Sequence, residues 1–414
     1  MKRTVIAVSM CLGVAPSAAY ALDWSLRTSQ TESVEANDNT FLRTSPAGTI
    51  ASFSTLTANA QARTPTSRFD FDGDGSYNKY WGPGTDGVAS EFLNYGFRGH
   101  YETFGKNNSD REYVEGAWRQ QSTALALLND IGVATQAGGF IDTVRAAGGI
   151  DRSLTALDTV SLFAASTRTS YEPSSGGTPF TDTVARGSWR HSLSPITALN
   201  VSSEVELLNY DNATNARIQI YRNQLGVDAT LSPVLSFRAN LGAANVVTED
   251  GANPLAGTGS NGFAASGSSS LLDWIGDAAL TYRMVKNTTL SLIANQSIGP
   301  SVVGSLFKND NITASVSHII NDRSSLSFSA TGSRSTSTTT TDYVSASATY
   351  SYSLTRNLSA QLSYRYRHRF ASTGGAAIID PITGFPTTSG TGDADSNSIL
   401  LVVSHTYTVL PRGN

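Results

Sequence analysis

The chain has 414 residues, a net charge of −4 and a single cysteine. Charged residues make up 15% and hydrophobic residues 39%, against roughly 25% and 45–50% in an ordinary soluble domain. No basic block is present to hold nucleic acid, and one cysteine excludes disulfide frameworks and paired-thiolate metal sites.

The chain opens "MKRTVIAVSMCLGVAPSAAYA". Lys2 and Arg3 precede an apolar run over 5–14, and Ala19-Tyr20-Ala21 follows it. That order predicts a secretory signal peptide over 1–21 and an exported domain over 22–414. Cys11 lies inside the leader, and Met10 is too bulky for the position before a lipidated cysteine. Beyond Ala21 no stretch approaches the roughly 18 apolar residues of a membrane-spanning helix. Low charge with abundant Ser, Thr, Gly and Tyr suits either a secreted β protein or an outer-membrane barrel.

"RFDFDGDGSYNKYW" (68–81) has two readings. Asp70, Asp72, Asp74 and Gly75 fit the opening of a calcium loop. The same residues also alternate, with Phe69, Phe71, Gly73, Gly75 and Tyr77 on one parity and the aspartates on the other. An EF-hand loop places a bidentate acid at its twelfth position, and counting from Asp70 that position is Trp81. The strand reading is therefore favoured. A cation site shared with neighbouring strands stays as the alternative.

Alternation recurs along the chain. In "ALNVSSEVELLNY" (198–210), Leu199, Val201, Val205 and Leu207 oppose Asn200, Ser202, Glu204 and Glu206. "IYRNQLGVDATL" (220–231), "VLSFRANLGA" (234–243), "SSLSFSATG" (324–332) and "SNSILLVVSHTYTV" (396–409) repeat it. The clearest case is "NLSAQLSYRYRHRF" (357–370), where Leu358, Ala360, Leu362, Tyr364, Tyr366, His368 and Phe370 oppose Ser359, Gln361, Ser363, Arg365, Arg367 and Arg369. A period of two over more than about ten residues exceeds an ordinary soluble strand. It matches a tilted strand crossing hydrocarbon.

Short turn-like links fall at 64–67, 194–197, 232–235, 286–289, 321–324 and 355–357, and longer Gly/Ser-rich links at 248–267 and 372–394. The two kinds alternate, as when one barrel rim carries turns and the other loops. Unpaired backbone N–H and C=O groups are intolerable in lipid, so such a sheet must close. The expected fold is all-β: a transmembrane antiparallel up-and-down β-barrel of about 18 strands (about 16–20), with short periplasmic turns and longer extracellular loops. Segments 124–156 and 296–310 are poorly patterned and set the spread.

Parity then assigns a polar lumen. Its candidate lining residues are Asp70, Asp72, Asp74, Arg98, Arg186, Arg190, Glu204, Glu206, Arg222, Arg238, Arg283, Arg365, Arg367 and Arg369, with Arg145, Asp228, Asp273 and Asp277 on the same parity. Arg365, Arg367 and Arg369 could form an anion-attracting ladder. Each arginine could equally be a solvated residue paired with an acid on a neighbouring strand. Trp24, Tyr80, Trp81, Trp189, Tyr350, Tyr352 and Tyr407 sit where aromatic girdles are expected. His191, His318, His368 and His405 lie on or beside the apolar parity, whereas His100 faces inward near Arg98 and Glu102.

No catalytic signature, cofactor motif or metal spacing stands out. "GTGSNG" (257–262) and "GGTP" (176–179) have no following helix or lysine to cradle a phosphate, and a serine partner for His100 is a matter of geometry alone.

The chain resembles the outer-membrane β-barrel porin-like family of proteobacteria, including barrels associated with exopolysaccharide and PEP-CTERM sorting systems. The likeness is carried by "TESVEANDNTFLRTSPAGTIASFSTLTANAQART" (31–64), by 68–81, by "WRQQSTALALLNDIGVATQAGG" (118–139), and by the strand-turn wording of "SLSPITALNVSSEVELLNY" and "TLSPVLSFRANLG". It implies a barrel in the Gram-negative outer membrane, exported through the Sec route, that passes small hydrophilic solutes or assists polysaccharide export, with no cofactor. The alternative is a plugged barrel serving as a structural or adhesive surface protein. Implied partners are outer-membrane lipids and lipopolysaccharide, the barrel-assembly machinery and polysaccharide-export components. Family barrels end in an aromatic residue read by that machinery; here Tyr407 stands in, ahead of "TVLPRGN". A charge at Leu362 is expected to impair insertion far more than one at Ser363.

Overall fold

The computed structural model describes residues 23–85, 90–105, 110–123, 126, 139–172, 177–211, 215–249, 269–285, 287–300, 306–336, 340–371 and 392–410. The leader expected at 1–21 and most of the links at 248–267 and 372–394 lie outside them.

The alternating segments form strands. They are β1 (Asp23–Asn37), β2 (Thr49–Arg63), β3 (Ser67–Trp81), β4 (Glu91–Phe104), β5 (Arg111–Ser122) and β6 (Phe140–Ser153). Next come β7 (Asp158–Tyr171), β8 (Phe180–Ser194), β9 (Thr197–Tyr210), β10 (Arg217–Ser232), β11 (Leu235–Glu249) and β12 (Ser269–Val285). The last are β13 (Thr288–Pro300), β14 (Leu306–Asn321), β15 (Ser324–Thr336), β16 (Thr340–Ser353), β17 (Leu358–Arg369) and β18 (Ala394–Leu410). Each pairs antiparallel with its chain neighbours, and β18 pairs with β1 from Leu26↔Leu410 to Asn37↔Ser398, so 18 strands close a ring without an edge. The shortest strands have 12 residues and the longest 17, enough for the roughly 9–11 residues that a tilted crossing requires.

Period-two alternation puts one parity outside the ring and the other inside. Leu225, Leu241 and Leu272 are 60%, 65% and 73% exposed on the outer face. In water each would forgo about 1.5–3 kcal/mol of burial. A continuous belt of such residues fits hydrocarbon as its solvent.

The two rims differ as the links predict. One carries 64–66, 105–110, 154–157, 195–196, 233–234, 286–287, 322–323 and 354–357, and the start of β1 and the end of β18 lie there. Side chains shape these turns. Thr64 Oγ1 accepts from Ser67 N (2.9 Å), Thr155 Oγ1 from Asp158 N (3.0 Å), Asn321 Oδ1 from Ser324 N (3.0 Å) and Thr355 Oγ1 from Leu358 N (3.1 Å). These are the local bonds that make Ser, Thr and Asn turn formers. The other rim carries the links between the remaining strand pairs, among them 38–48, 211–216, 301–305 and 370–393.

Two elements turn inward from that second rim. The β12–β13 ladder stops at Gly276↔Gln296, whereas β13–β14 pairing continues to Pro300↔Leu306. The free end of the hairpin leans into the ring, burying Ile298 and Leu306 against Leu208, Ile218, Ile220, Val246 and Ile275. This bend is why 296–310 lacks a clean alternation. The weak pattern near 140–156 has another cause: Ala146, Ala147, Gly148 and Gly149 leave both faces of β6 small.

Segment 38–48 also folds inward. Asn39 Nδ2 donates to Arg43 O (2.7 Å) and Asp395 O (2.8 Å), and Phe41 meets Tyr80 at a ring distance of 6.1 Å. Gly82, at φ 109°, and Gly84, whose N–H donates to Gly48 O (3.1 Å), let the 82–85 turn press against this segment. Tyr80 corrects an expectation. It is no girdle residue but is buried inside, edge-on to Phe53 and Phe92.

Charge placement tests the two faces. Ser363 faces inward but is packed beside Thr349 (3.0 Å), so Gln361 is the better inward control. Leu362→Arg should cost about 2–4 kcal/mol of membrane stability, and Gln361→Arg under 1 kcal/mol. Urea titration of the folded, heat-modifiable band in lipid vesicles measures both. Equal losses would overturn the assignment of two faces.

Candidate functional site: a charged and hydroxylated lumen

The inward parity of β3–β12 carries most of the lumen charge, and most of it is paired sideways. Arg68 holds Asp70 (Nε–Oδ2 2.7 Å), which also accepts from Gln61 (2.6 Å). Asp72 accepts from Asn59 (2.5 Å) and meets Arg98 (3.3 Å), and Asp74 meets Arg119 (2.7 Å). The three aspartates thus have three different sets of partners. Among the described residues no cluster of three or more His, Asp or Glu side chains could hold a metal ion.

Further round, Glu115 lies 3.8 Å from Arg98, 3.7 Å from His100 and 3.6 Å from Arg145, and Arg111 joins Asp151 (2.9 Å). Arg186 holds Glu204 (2.5 Å), and Arg222 bridges Glu204 and Glu206. Asp228 is shared by Arg190 and Arg238 (2.9 Å to Arg238), and Asp277 accepts from Asn240 (3.0 Å). Arg119, Arg111 and Glu115 were not singled out in the sequence, although Arg111, Glu115 and Arg119 share the inward parity of β5. Following that parity would have found them.

Arg222 ties the inward hairpin to the wall, donating to Ile298 O (2.6 Å), and Lys308 on the same hairpin meets Asp273 (2.6 Å). Each end of the contact is therefore held by a cation, with the apolar cluster between them. The signal that could have predicted this docking is apolar residues on the lumen parity: Leu208 on β9, Ile218 and Ile220 on β10, Val246 on β11 and Ile275 on β12.

The other side of the lumen is built differently. The inward faces of β15 and β16 are Ser and Thr save for Tyr343, and their hydroxyls form cross-strand pairs such as Thr313–Thr331 (3.0 Å) and Ser329–Ser347 (2.8 Å). Beside them stand the β17 arginines. Arg365 is exposed, lies between Ser347 and Ser398, and has no hydrogen bond or ion pair to a described carboxylate. Arg367 donates to Thr40 O (3.3 Å), and Arg369, 2% exposed, to Gly392 O (3.2 Å). Arg283, at the short-link rim, faces inward on β12.

The histidines divide by face. His191 meets Asp158 (2.7 Å) and His368 meets Asp395 (2.8 Å) on the outer parity at strand ends, while His100 sits between Glu102 (3.7 Å) and Glu115 (3.7 Å) against the Tyr113 ring. On the long-link rim, a hydrogen bond from Arg168 holds the Asp211 carboxyl below the ordinary carboxylate range.

No protein-family model and no curated protein matches the chain. Among solved structures it is similar to the FrpB iron transporter of Neisseria meningitidis (8% identity, 93% of this chain and 81% of that one, TM-score 0.49). It is likewise similar to OccAB4 of Acinetobacter baumannii (11%, 94% and 98%, 0.47) and OpdO of Pseudomonas aeruginosa (9%, 94% and 98%, 0.49). Likeness at this level concerns barrel shape and bears on neither solute nor mechanism.

Removing the Arg222 cation would leave Glu206, 4% exposed, without its countercharge. Arg222→Met should therefore destabilise the barrel by about 3 kcal/mol, while Arg238→Met, whose partner keeps Arg190, should cost under 1 kcal/mol. Urea midpoints in vesicles compare the two.

Proposed function

We propose that the chain is an outer-membrane barrel whose lumen passes small hydrophilic solutes. The observation that carries this reading is the closed ring itself, with a largely apolar outer face and a largely charged or hydroxylated interior. On this reading the short-link rim is periplasmic and the long-link rim extracellular. Lipid and lipopolysaccharide surround the belt, and the barrel-assembly machinery inserts it. Asp70, Asp72, Asp74 and the paired arginines hydrate the wall with little net field, because each charge is neutralised by a neighbour. Arg365 differs from these. Free of a carboxylate and about 6.8 Å along the strand from Arg367, it makes the pore favour anions. The facing serines and threonines hydrogen-bond hydroxylated solutes, which is also the chemistry that export of a polysaccharide would need.

A second reading, a plugged barrel acting as a surface anchor, is favoured by the two inward elements, 38–48 and the β13–β14 hairpin end. Planar-bilayer recording separates them. The pore gives stable conductance steps with a reversal potential biased toward the anion in a KCl gradient, and Arg365→Glu moves that potential toward the cation. Silent bilayers containing correctly folded protein would favour the anchor.

A further inference from the structure

Cations on outward-facing strand positions are neutralised near the rims, while of the outward acids Asp142 accepts from Gln120 (3.0 Å) and Asp310 lies opposite Arg334. Lys79 meets Glu91 (2.7 Å), Arg217 meets Glu249 (3.8 Å), Arg334 meets Asp342 (2.7 Å), and Arg152 meets Glu112. Arg168 is likewise paired, with Asp211, and Lys308, turned inward on the hairpin, with Asp273.

Glu32 breaks the pattern. It lies well inside β1, with Val34 and Ala36 beyond it and Leu26 and Trp24 on its other side, all outward. Its lateral neighbours are Val403 on β18 and Ser54 on β2, and Tyr77 pairs with Ser54 in turn. No described cation reaches it. Its carboxylate accepts from Gln30 Nε2 (3.1 Å) and Ser54 Oγ (2.5 Å), and Thr28 and Ser52 complete a polar island in the apolar belt. A carboxylate at that depth on a lipid face is costly, and each of its oxygens keeps a free lone pair.

We propose that this island is the contact face for a second copy of the chain, related by a two-fold axis parallel to the barrel axis. The island is self-complementary. Glu32 accepts, while the Gln30 amide and the Ser52 and Thr28 hydroxyls have hydrogens to donate, so a two-fold operation sets donors of one copy against the acceptor of the other. A head-to-tail ring would need a countercharge on some other outer face, and every described lysine and arginine at an outward strand position already has its acid. Ala36, Ala58 and Ala60 keep the surface flat enough for two backbones to approach closely. The proposal rests on the membrane-barrel reading alone, and an open pore is not required.

Single-cysteine chains in a Cys11→Ser background, oxidised in intact outer membranes, test it. Ser52→Cys and Ser54→Cys should give disulfide-linked dimers of the chain, whereas Leu241→Cys, across the ring on β11, should not. Glu32→Leu should keep the heat-modifiable folded band yet cut the Ser54→Cys dimer fraction roughly fivefold, and Glu32→Gln should retain much of it. Equal cross-linking at Leu241→Cys, a product joined to a different protein, or an unchanged fraction in Glu32→Leu would each overturn the dimer. Alkaline extraction of the unmodified chain, run alongside, distinguishes the two levels: release from the membrane would overturn the barrel reading as well.

Discussion

The backbone hydrogen bond is the constraint from which the rest follows. A peptide N–H or C=O left unpaired in hydrocarbon costs several kcal/mol, and a sheet always has two edges unless its first and last strands meet. Here they meet over the length of β1 and β18. Once the ring is closed, the pleat sends alternate side chains to two different solvents, and neither face can be a conventional core. The largest exposed hydrophobics are therefore on the outside, and the chemistry is confined to the inside and the rims. Closure also dictates the links: neighbours in sequence are neighbours in the ring, so turns of a few residues suffice at one rim while the other is free to carry longer segments.

Inside, neutralisation is mostly lateral. Exposed ion pairs such as Arg238–Asp228 contribute about 0–1 kcal/mol each. Their effect is to keep the wall hydrated while cancelling the field a solute would meet. The Arg222–Glu204–Glu206 group is of another kind, because Glu206 is nearly closed off from water and removal of its cation strands a buried charge. The β17 ladder is a third kind. Arg367 and Arg369 donate to backbone carbonyls, which solvate a guanidinium without neutralising it, the Glu35 carboxylate acts on Arg367 through space, and Arg365 has no described carboxylate partner. Net positive field thus concentrates beside the one stretch of wall made of neutral hydroxyls.

Much of this was legible in the sequence because period two reports solvent on both sides at once. Leu362 beside Ser363, or Phe237 beside Arg238, names both faces, and Thr64, Asn321 and Thr355 mark turns by the local hydrogen bonds they offer. Pairing partners were not legible: register decides that Asp74 meets Arg119 and not a nearer cation, and register is a property of the closed ring. Tyr80 was misplaced because an aromatic residue at a strand end suits an interface and an inward-folded loop equally well. The even parity it shares with Asp70, Asp72 and Asp74 is the signal that points inward, where Phe41, Phe53 and Phe92 cover it. The hairpin end of β13–β14 escaped for a related reason. Ile298 keeps the outward parity of its strand, yet it is buried because the ladder to β12 ends at Gln296 and the face it presents turns with the backbone.

That hairpin explains an otherwise contradictory set of residues. Leu208, Ile218, Ile220, Val246 and Ile275 occupy lumen positions where water would make them a liability, and they become an asset only if something apolar covers them. Ile298 and Leu306 do so, with Arg222 and Lys308 fixing the two flanks by an amide carbonyl and a carboxylate. The 38–48 segment occupies a different sector, docking on Tyr80 and reaching Arg367. Between the two sectors lies the hydroxyl face of β15 and β16. Arg365 stands at the edge of that face, opposite Ser347. The placement of the apolar patch is thus a consequence of where the barrel folds its own rim inward.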